Sequence, residues 1–255
     1  MKPCLLGMVT YNRLDLTKES LTSLLQTASP DLYELVIVDN ASTDGTVEYL
    51  KTLSHPCLKD IFYNEENLGT AGALNMVWEI GYDSGQHVGK IDNDMVFYDK
   101  DWLDKMYHVV EVTEDVAIVG LKRRDLEEKP NHNEEFFRTR LFTLPGGQVI
   151  EISHHVMGNC WLVSYSALRK LGALVQIGPY GLDDSLYCLR AKVAGLLSVF
   201  VPDVSIEHID PGHPKYPQYT QWKIDVAGEI LRGGEYQKLC DQYQRGERGV
   251  FESFT

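Results

Sequence analysis

Residues 87–97 read HVGKIDNDMVF. Residues 87–91 are mainly apolar and predict a short buried strand, which ends at the polar triplet 92–94. Side chains of an extended segment alternate between faces, so Asp92 and Asp94 are expected to point the same way. Two carboxylates there form a hard-oxygen site that suits a divalent cation holding a diphosphate. Acidic residues also gather at solvated turns, so the triplet alone leaves both interpretations open.

The composition favours one globular domain, with or without a small appendage. The chain has 255 residues, 44% of them hydrophobic, which is enough for a sizeable core. Its five cysteines are scattered and form no CxxC pair, so reduced thiols are predicted. The net charge of −13 argues against broad nucleic-acid binding, which depends on Lys and Arg. No apolar run has the length of a signal-peptide core or a membrane span, which predicts a cytoplasmic protein.

Strand and helix patterns alternate through the first hundred residues and predict a parallel sheet built from βαβ units. Ligands bind at the carboxyl ends of the strands in such sheets. Every predicted strand of this part ends in a polar loop, so these loops are expected to form one site. The strand patterns cover 5–10, 34–38, 60–63 and 87–91, and the loops cover 10–13, 39–46, 64–69 and 92–94.

The second half of the chain is predicted to be more irregular. Charged and turn-forming residues predict a surface loop over 122–140, and a hairpin is expected over 141–152 around Pro145-Gly146-Gly147. Strands are predicted at 116–121, 160–163 and 196–206, the last interrupted at Pro202, and helices at 101–111, 165–171, 183–193, 221–231 and 235–243.

Six segments in this order resemble family 2 glycosyltransferases over Leu5 to His208. The segments are VTYNR (9–13), VIVDNASTDGT (36–46), NEENLGTAGALN (64–75), KIDNDMVF (90–97), GLDDSLYCLRAKVAG (181–195) and His208. The resemblance implies the GT-A fold, an α/β fold with a Rossmann-like, mostly parallel central sheet flanked by helices. A smaller acceptor-side hairpin and a helical C-terminal tail are expected with it. The implied division is a catalytic domain over 1–210, with a nucleotide-binding half (1–98) and an acceptor half (99–210), and a tail over 211–255.

The resemblance also assigns roles on the nucleotide side. It implies that Thr10, Asn12 and Arg13 lie beside the nucleotide, and that Asp39 binds the base or ribose. Asn67, Gly69 and Gly72 resemble a loop that places a helix N-terminus near the phosphates or ribose. From the residues alone, Asp39 is equally explained as a turn cap, and Asn67 as a helix cap.

A metal site follows from the same resemblance. Asp94 matches the residue that binds Mn²⁺ or Mg²⁺ in the family's DxD motif, and Asp92 contacts the ribose, or the metal through water. The cation would neutralise the leaving diphosphate. His208 matches a further metal ligand, although a single histidine is often structural.

The acid pair Asp183-Asp184 matches the family's Glu-Asp pair, because Arg190 follows Asp184 by six residues. By this match Asp184 is the general base that takes the proton of the acceptor hydroxyl. Asp183 replaces the usual Glu, which leaves open which of the two is the base. Trp161 matches a position that lines the acceptor or sugar pocket, although a tryptophan in an apolar strand is also a typical core residue.

These implications together describe a metal-dependent, inverting glycosyltransferase with a UDP-, GDP- or dTDP-linked donor. The acceptor hydroxyl is left open between a glycan, a lipid-linked sugar met at a membrane surface and another small acceptor. A nucleotidyltransferase would carry a glycine-rich basic loop after the first strand. The segment there, VTYNRLD, contains no glycine, which argues against that class of enzyme. A non-catalytic sugar-nucleotide-binding module would not need the acid pair. Glycosylation of a modified nucleic-acid base is kept open by Lys122-Arg123-Arg124, against the acidic balance of the chain.

Overall fold

A computed structural model of the chain describes residues 2–124, 140–210 and 213–254. The strands are β1 (Cys4–Thr10), β2 (Tyr33–Asp39), β3 (Leu58–Tyr63), β4 (Val88–Asp92), β5 (Met95–Phe97), β6 (Val116–Arg123), β7 (Arg140–Thr143), β8 (Val149–Ser153), β9 (Cys160–Val163) and β10 (Leu197–His208). The helices are α1 (Leu14–Thr27), α2 (Thr46–Leu50), α3 (Gly69–Ser84), α4 (Trp102–Val112), α5 (Tyr165–Leu171), α6 (Asp183–Val193), α7 (Pro217–Gly233) and α8 (Glu235–Gln244).

All ten strands join one sheet in the order β3-β2-β1-β4-β9-β6-β10-β8-β7, with β5 paired to β10. Strands β1 to β4 pair in parallel, as the alternating patterns predicted. Strand β9 pairs antiparallel with both β4 and β6, while β6 and β10 are parallel. From β3 to β10, therefore, every strand runs the same way except β9. Its direction was not predicted, because the four residues of β9 carry no signal for the orientation of their neighbours.

The central strands of the sheet, such as β1 and β2, are buried on both faces, which explains their continuous apolar runs. Leu6 and Met8 of β1 pack on the side covered by α1 and α4, whereas Leu5 packs on the side of α3, α5 and α6. This alternation is the period of two expected for a strand between two helical layers. The strands are therefore fixed in register, and the loops at their carboxyl ends are held at defined positions.

Strand β10 is longer than predicted, since it continues through Pro202 to His208. Its parallel register with β6 shifts between Val201 and Ser205. A proline is tolerated at such an irregularity because no ladder hydrogen bond is needed from its nitrogen. The extension carries His208 to the end of the sheet. Strand β6 also runs on to Arg123, so the predicted loop 122–140 begins later than expected, and its residues 125–139 lie outside the described ranges.

The predicted helical tail is present as α7 and α8. Helix α8 buries Leu239, Cys240 and Tyr243 near Leu186 of α6. Helix α7, in contrast, has no buried residue. Among the helices of the described ranges, none combines the length and the hydropathy of a membrane span.

Arg190 fastens the end of the chain to the sheet domain. Its guanidinium is fully buried and donates to the carbonyl oxygens of Leu171, Ala173 (2.7 Å) and Val250 (2.9 Å). Burial disfavours the charged form and lowers the pKa of Arg190. The arginine that marks the resemblance around the acid pair is thus a structural anchor in this chain.

Candidate active site

A cleft of about 310 Å³ opens at the carboxyl ends of β1 and β4. Helix α6, the outer helix α7 and the loops that precede β9 and α6 supply its other walls. Most of the residues predicted to act lie on its surface, as expected for strand ends that meet at one edge. The predicted residues that line it are Arg13, Asn67, Asp92, Asp94, Asp183, Asp184 and His208.

The pairing of β5 with β10 brings the metal-site residues together. In this antiparallel pair His208 lies opposite Met95, and the amide of Ile209 donates to the carbonyl oxygen of Asp94 (3.0 Å). His208 Nε2 consequently lies 3.3 Å from Asp94 Oδ2. Asp210 follows two residues later and is 2% exposed.

Asp94, His208 and Asp210 form a cluster whose ligand atoms lie within 4.8 Å of one another. Asp94 Oδ1 and His208 Nδ1 are buried and accept or donate no hydrogen bond within the described ranges. Two carboxylates and an imidazole are a donor set that suits Mn²⁺, and the oxygens also suit Mg²⁺. The residues therefore fit a divalent ion. Asp92, predicted as a ligand or a water-mediated contact, is not part of this cluster.

Two cations from distant segments also reach the cluster. Arg13 Nη1 lies 2.8 Å from Asp94 Oδ2 and 3.0 Å from Asp210 Oδ1. Lys223 Nζ on α7 lies 2.7 Å from Asp210 Oδ2 and 3.8 Å from Asp94 Oδ2. Burial alone would raise the pKa of the Asp94 carboxyl, but His208, Arg13 and Lys223 outweigh burial and hold it well below its usual value. Asp94 is therefore ionised and ready to bind a cation.

The turn between β1 and α1 explains how Arg13 reaches β4. Asn12 and Arg13 both adopt left-handed backbone conformations, with φ of 53° and 59°. Two successive left-handed residues without glycine are uncommon and turn the chain sharply. Strand β1 is the parallel neighbour of β4, with Val9 opposite Asp92, so the turned side chain extends across the end of that strand.

Lys90 links Asp92 to the acid pair at the start of α6. It is 6% exposed, and its Nζ lies 3.5 Å from Asp92 Oδ1 and 3.6 Å from Asp183 Oδ2. Burial raises the pKa of Asp183; Lys90 opposes this effect and the neighbouring Asp184 adds to it. Lys90 thus keeps two acids of the cleft close together that would otherwise repel.

Asp184 is the more accessible member of the acid pair. Its side chain is 23% exposed, against 8% for Asp183. Its Oδ2 accepts from the amide of Gly158 (3.1 Å) and lies 3.7 Å from His155 Nε2. These contacts fix one oxygen of Asp184 beside the loop that precedes β9.

Thr10, Asn12 and Asp39 do not line the cleft. They form hydrogen bonds between the loop that follows β1 and the loop that follows β2. Asp39 is fully buried, accepting from Thr10 Oγ1 and from the amide of Ser42, both at 2.9 Å. Asn12 Oδ1 accepts from the amide of Thr43 (2.8 Å). Both carboxylate oxygens of Asp39 accept hydrogen bonds from within the chain, which is the arrangement expected of a turn cap.

The N-terminus of α3 is likewise satisfied from within the chain. The amide of Gly69 donates to Asn67 Oδ1 (2.9 Å), and the amide of Gly72 donates to Gln176 Oε1 (2.7 Å). A Cβ at Gly69, where φ is 75°, would lie 2.1 Å from Gln176 Nε2. The glycine is needed for this cap. Asn67 lines the cleft, but the Gly72 amide expected to favour a phosphate already has an acceptor.

Trp161, predicted to line a sugar pocket, lies in the core instead. It is 1% exposed, its Nε1 donates to the carbonyl oxygen of Met157 (2.8 Å), and its ring lies 5.9 Å from that of Tyr187. The reason is its position in β9, which lies between two strands and is covered by helices. The tryptophan of the cleft is Trp222 on α7.

Sequence reasoning missed several residues of the site, among them Lys90, Tyr180 and Lys223 of the cleft and Asp210 of the carboxylate-histidine cluster. A signal existed for two of them. Lys90 precedes Asp92 by two residues in a strand, and Asp210 follows His208 by two, so each pair shares a face when the chain is extended. For Tyr180 and Lys223 no local pattern indicated the cleft.

Comparison with solved structures identifies the class of fold. The mannosyltransferase PcManGT from Pyrobaculum calidifontis, in complex with GDP-Man and Mn²⁺, is similar over 96% of this chain and 75% of its own, with a TM-score of 0.61 and 18% identity. S. aureus TarS 1–349, in complex with UDP-GlcNAc, is similar over 95% of this chain and 70% of its own, with a TM-score of 0.62 and 17% identity. These likenesses confirm the predicted GT-A glycosyltransferase fold.

The family follows from the sequence comparison. The model of glycosyl transferase family 2 matches residues 6–172, so the chain belongs to this family of glycosyltransferases, as predicted. A relative from Bacillus subtilis (strain 168), described as "Putative teichuronic acid biosynthesis glycosyltransferase TuaG", is 34% identical over 97 residues. That match spans 38% of this chain and only 37% of the relative.

Proposed function

We propose that the protein is a metal-dependent, inverting glycosyltransferase that moves a sugar from a nucleotide-diphospho-sugar to an acceptor hydroxyl. One observation carries the proposal: Asp94 and His208 of a cluster fit for a divalent ion line the same cleft as the acid pair Asp183-Asp184. A transferase needs both, since one end of the reaction releases a diphosphate and the other releases a proton. A binding module would have no use for the second.

Asp94, His208 and Asp210 would hold Mn²⁺ or Mg²⁺. When bound, the ion would neutralise negative charge on the leaving diphosphate. Arg13 contributes a fixed positive charge. Burial alone would lower the pKa of Arg13, but Asp94 and Asp210 outweigh burial and raise it. Asp92 would face the ribose or a metal-bound water.

On the acceptor side, Asp184 would act as the general base. The acceptor oxygen attacks the anomeric carbon, the bond from this carbon to the diphosphate breaks, and the hydroxyl proton passes to Asp184. A single displacement of this kind inverts the anomeric configuration. Lys90 and Asp183 would hold the base region in place, and Gly158 orients one oxygen of Asp184.

The donor is proposed to be UDP- or GDP-linked, by likeness to the ligands of TarS and PcManGT, with dTDP-linked sugars to be tested beside them. The proposed division keeps 1–98 as the nucleotide half, 99–210 as the acceptor half and 211–255 as the tail. The cytoplasmic location stays a prediction.

A thermal-shift screen tests the proposal. Wild type and Asp94→Asn are screened with UDP, GDP, dTDP and their sugars, with and without Mn²⁺; Asp203→Asn, an exposed acid of β10, is the matched control. A nucleotide at a hundred times its Kd should stabilise the protein by about 2.7 kcal/mol. We expect stabilisation only with metal, lost in Asp94→Asn and kept in Asp203→Asn.

The stereochemical part has its own readout. The donor is incubated with the enzyme without an acceptor, so that water can attack the anomeric carbon instead, and proton NMR identifies the anomer of the sugar that is released first. An inverted anomer supports the mechanism. A retained anomer would refute inversion, and no nucleotide-dependent shift under any metal condition would refute the transferase itself.

A further inference from the structure

Lys223 is brought to the cleft by a segment that lies outside the part matched to the family. The match ends at residue 172, whereas α7 spans Pro217–Gly233. Nevertheless Lys223 Nζ lies 2.7 Å from Asp210 Oδ2, its side chain is 17% exposed, and it lines the cleft. Lys223 therefore reaches the site from outside the segment that matches the family model.

The surroundings of Lys223 hold its charge in position. Its ammonium lies 5.0 Å from the ring of Tyr219 and 5.4 Å from that of Tyr180. Such distances allow a favourable contact of the cation with both ring faces. The ring of Tyr219 also contacts the guanidinium of Arg13, at 4.3 Å, so it lies between Arg13 and Lys223.

The stability of the fold does not by itself explain why a lysine occupies position 223. Ion pairs taken out of water are often no more stabilising than apolar residues of similar volume. Helix α7 buries no residue completely, so it gains little from its packing, and yet it directs a charged group inward. An inward ammonium on a loosely packed helix suits a group that is to meet a ligand.

We propose that Lys223 is a diphosphate-binding residue of the donor site, exchanging its carboxylate partners for a phosphate oxygen when the donor binds. The proposal rests on the transferase function given above. Asp94 and Asp210, which would hold a divalent ion, are also the carboxylates that pair with Lys223, so the ammonium would compete with the ion for them. The leaving nucleoside diphosphate, which gains one negative charge when its bond to the sugar breaks, carries more negative charge than one divalent ion neutralises. The released ammonium and Arg13 supply the balance.

This exchange makes two predictions of opposite sign for Lys223→Met. Without the competing ammonium, the carboxylates should bind Mn²⁺ alone a few-fold more tightly. Without the phosphate contact, Mn²⁺-dependent binding of a nucleoside diphosphate should weaken about tenfold or more, as expected for a charge-assisted hydrogen bond. The corresponding nucleoside monophosphate should lose less.

The experiment measures Mn²⁺ binding by electron paramagnetic resonance and nucleotide binding by calorimetry. UDP with UMP, and GDP with GMP, are titrated into wild type, Lys223→Met and Lys223→Arg. Lys215→Met is the matched control, because Lys215 lies just before α7, is 59% exposed and pairs with Asp15 on the surface. We expect Lys223→Arg to restore diphosphate binding and Lys215→Met to behave as wild type.

The possible failures are distinguishable. If Lys223→Met weakens Mn²⁺, monophosphate and diphosphate binding alike, the residue only anchors α7 and the proposal is overturned. Unchanged diphosphate binding overturns it as well, while leaving the transferase function standing. If wild type binds neither UDP nor GDP in the presence of Mn²⁺, the proposed function fails first and the role of Lys223 fails with it.

Discussion

His208 Nε2 lies 3.3 Å from Asp94 Oδ2, although the two residues come from opposite halves of the chain. The contact results from the antiparallel pairing of β5 with β10, which sets His208 opposite Met95. The same pairing carries Asp210 to Arg13. The proposed metal site therefore depends on one short strand pair at the end of the sheet.

Asp210→Asn should weaken metal binding. The substitution keeps the shape of the side chain but removes one of the two carboxylate charges of the cluster. We expect the affinity for Mn²⁺, measured by calorimetry in the presence of UDP, to fall by at least about tenfold. Asp203→Asn, at an exposed position of β10, should leave the affinity for Mn²⁺ unchanged. Equal affinities of Asp210→Asn and wild type would remove Asp210 from the ligand set.

Single-turnover kinetics should distinguish the roles of Asp183 and Asp184, because their replacement should lower the rate of sugar transfer to different extents. If Asp184 is the base, Asp184→Asn should lower the rate of sugar transfer about 10²- to 10⁴-fold while donor binding persists. Asp183→Asn should have a smaller effect, because Asp183 is buried against Lys90. The reverse order of the two rates would assign the base to Asp183, whose raised pKa would then suit the task.

Trp161 and Trp222 should respond in opposite ways to replacement by alanine. Trp161 is buried, so Trp161→Ala should reduce the free energy of unfolding by about 3–5 kcal/mol in urea titrations. Trp222 is 37% exposed and lines the cleft, so Trp222→Ala should change stability by about 1 kcal/mol or less and alter KM instead. A stable Trp161→Ala protein with impaired substrate binding would restore the sequence-based assignment of Trp161.

Protonation of Glu252 in acid should reduce the free energy of unfolding. This carboxylate accepts from Tyr243 Oη (2.5 Å) and from Arg248 Nε (2.6 Å). Partial burial would raise the pKa of Glu252, but the hydrogen bonds from Arg248 and Tyr243 outweigh it and lower the pKa. A lowered pKa means that the stabilisation is fully present above the unfolded-state value of about 4.3 and is lost as the pH falls through the folded-state value.

Urea titrations from about pH 6 to about pH 3 measure this effect. Near neutral pH, Glu252→Gln should be less stable than wild type by about 1 kcal/mol, and the difference should vanish in acid. Glu247→Gln is the control, since Glu247 is 56% exposed and lies 4.0 Å from Arg245. A difference between Glu252→Gln and wild type that does not depend on pH would contradict the assignment.

The sequence by itself determined the βαβ half of the fold and the meeting of its loops. Apolar runs separated by helical periods permit few arrangements, and parallel strands bring their carboxyl ends to one edge. Arg13, Asp92 and Asp94 were located in this way, from local patterns and strand order alone. The resemblance to the family added the acid pair and His208.

Only the tertiary structure decided which side chains meet across the cleft. The direction of β9, which buries Trp161, and the arrival of Lys223 on α7 depend on contacts between segments far apart in the chain. Local periodicity records which face of an element is buried, but not the neighbour that buries it. Asp210 could have been predicted from the sequence, because it follows His208 by two residues. Its ion pair with Lys223 could not, because that contact depends on how α7 packs across the carboxyl ends of the strands.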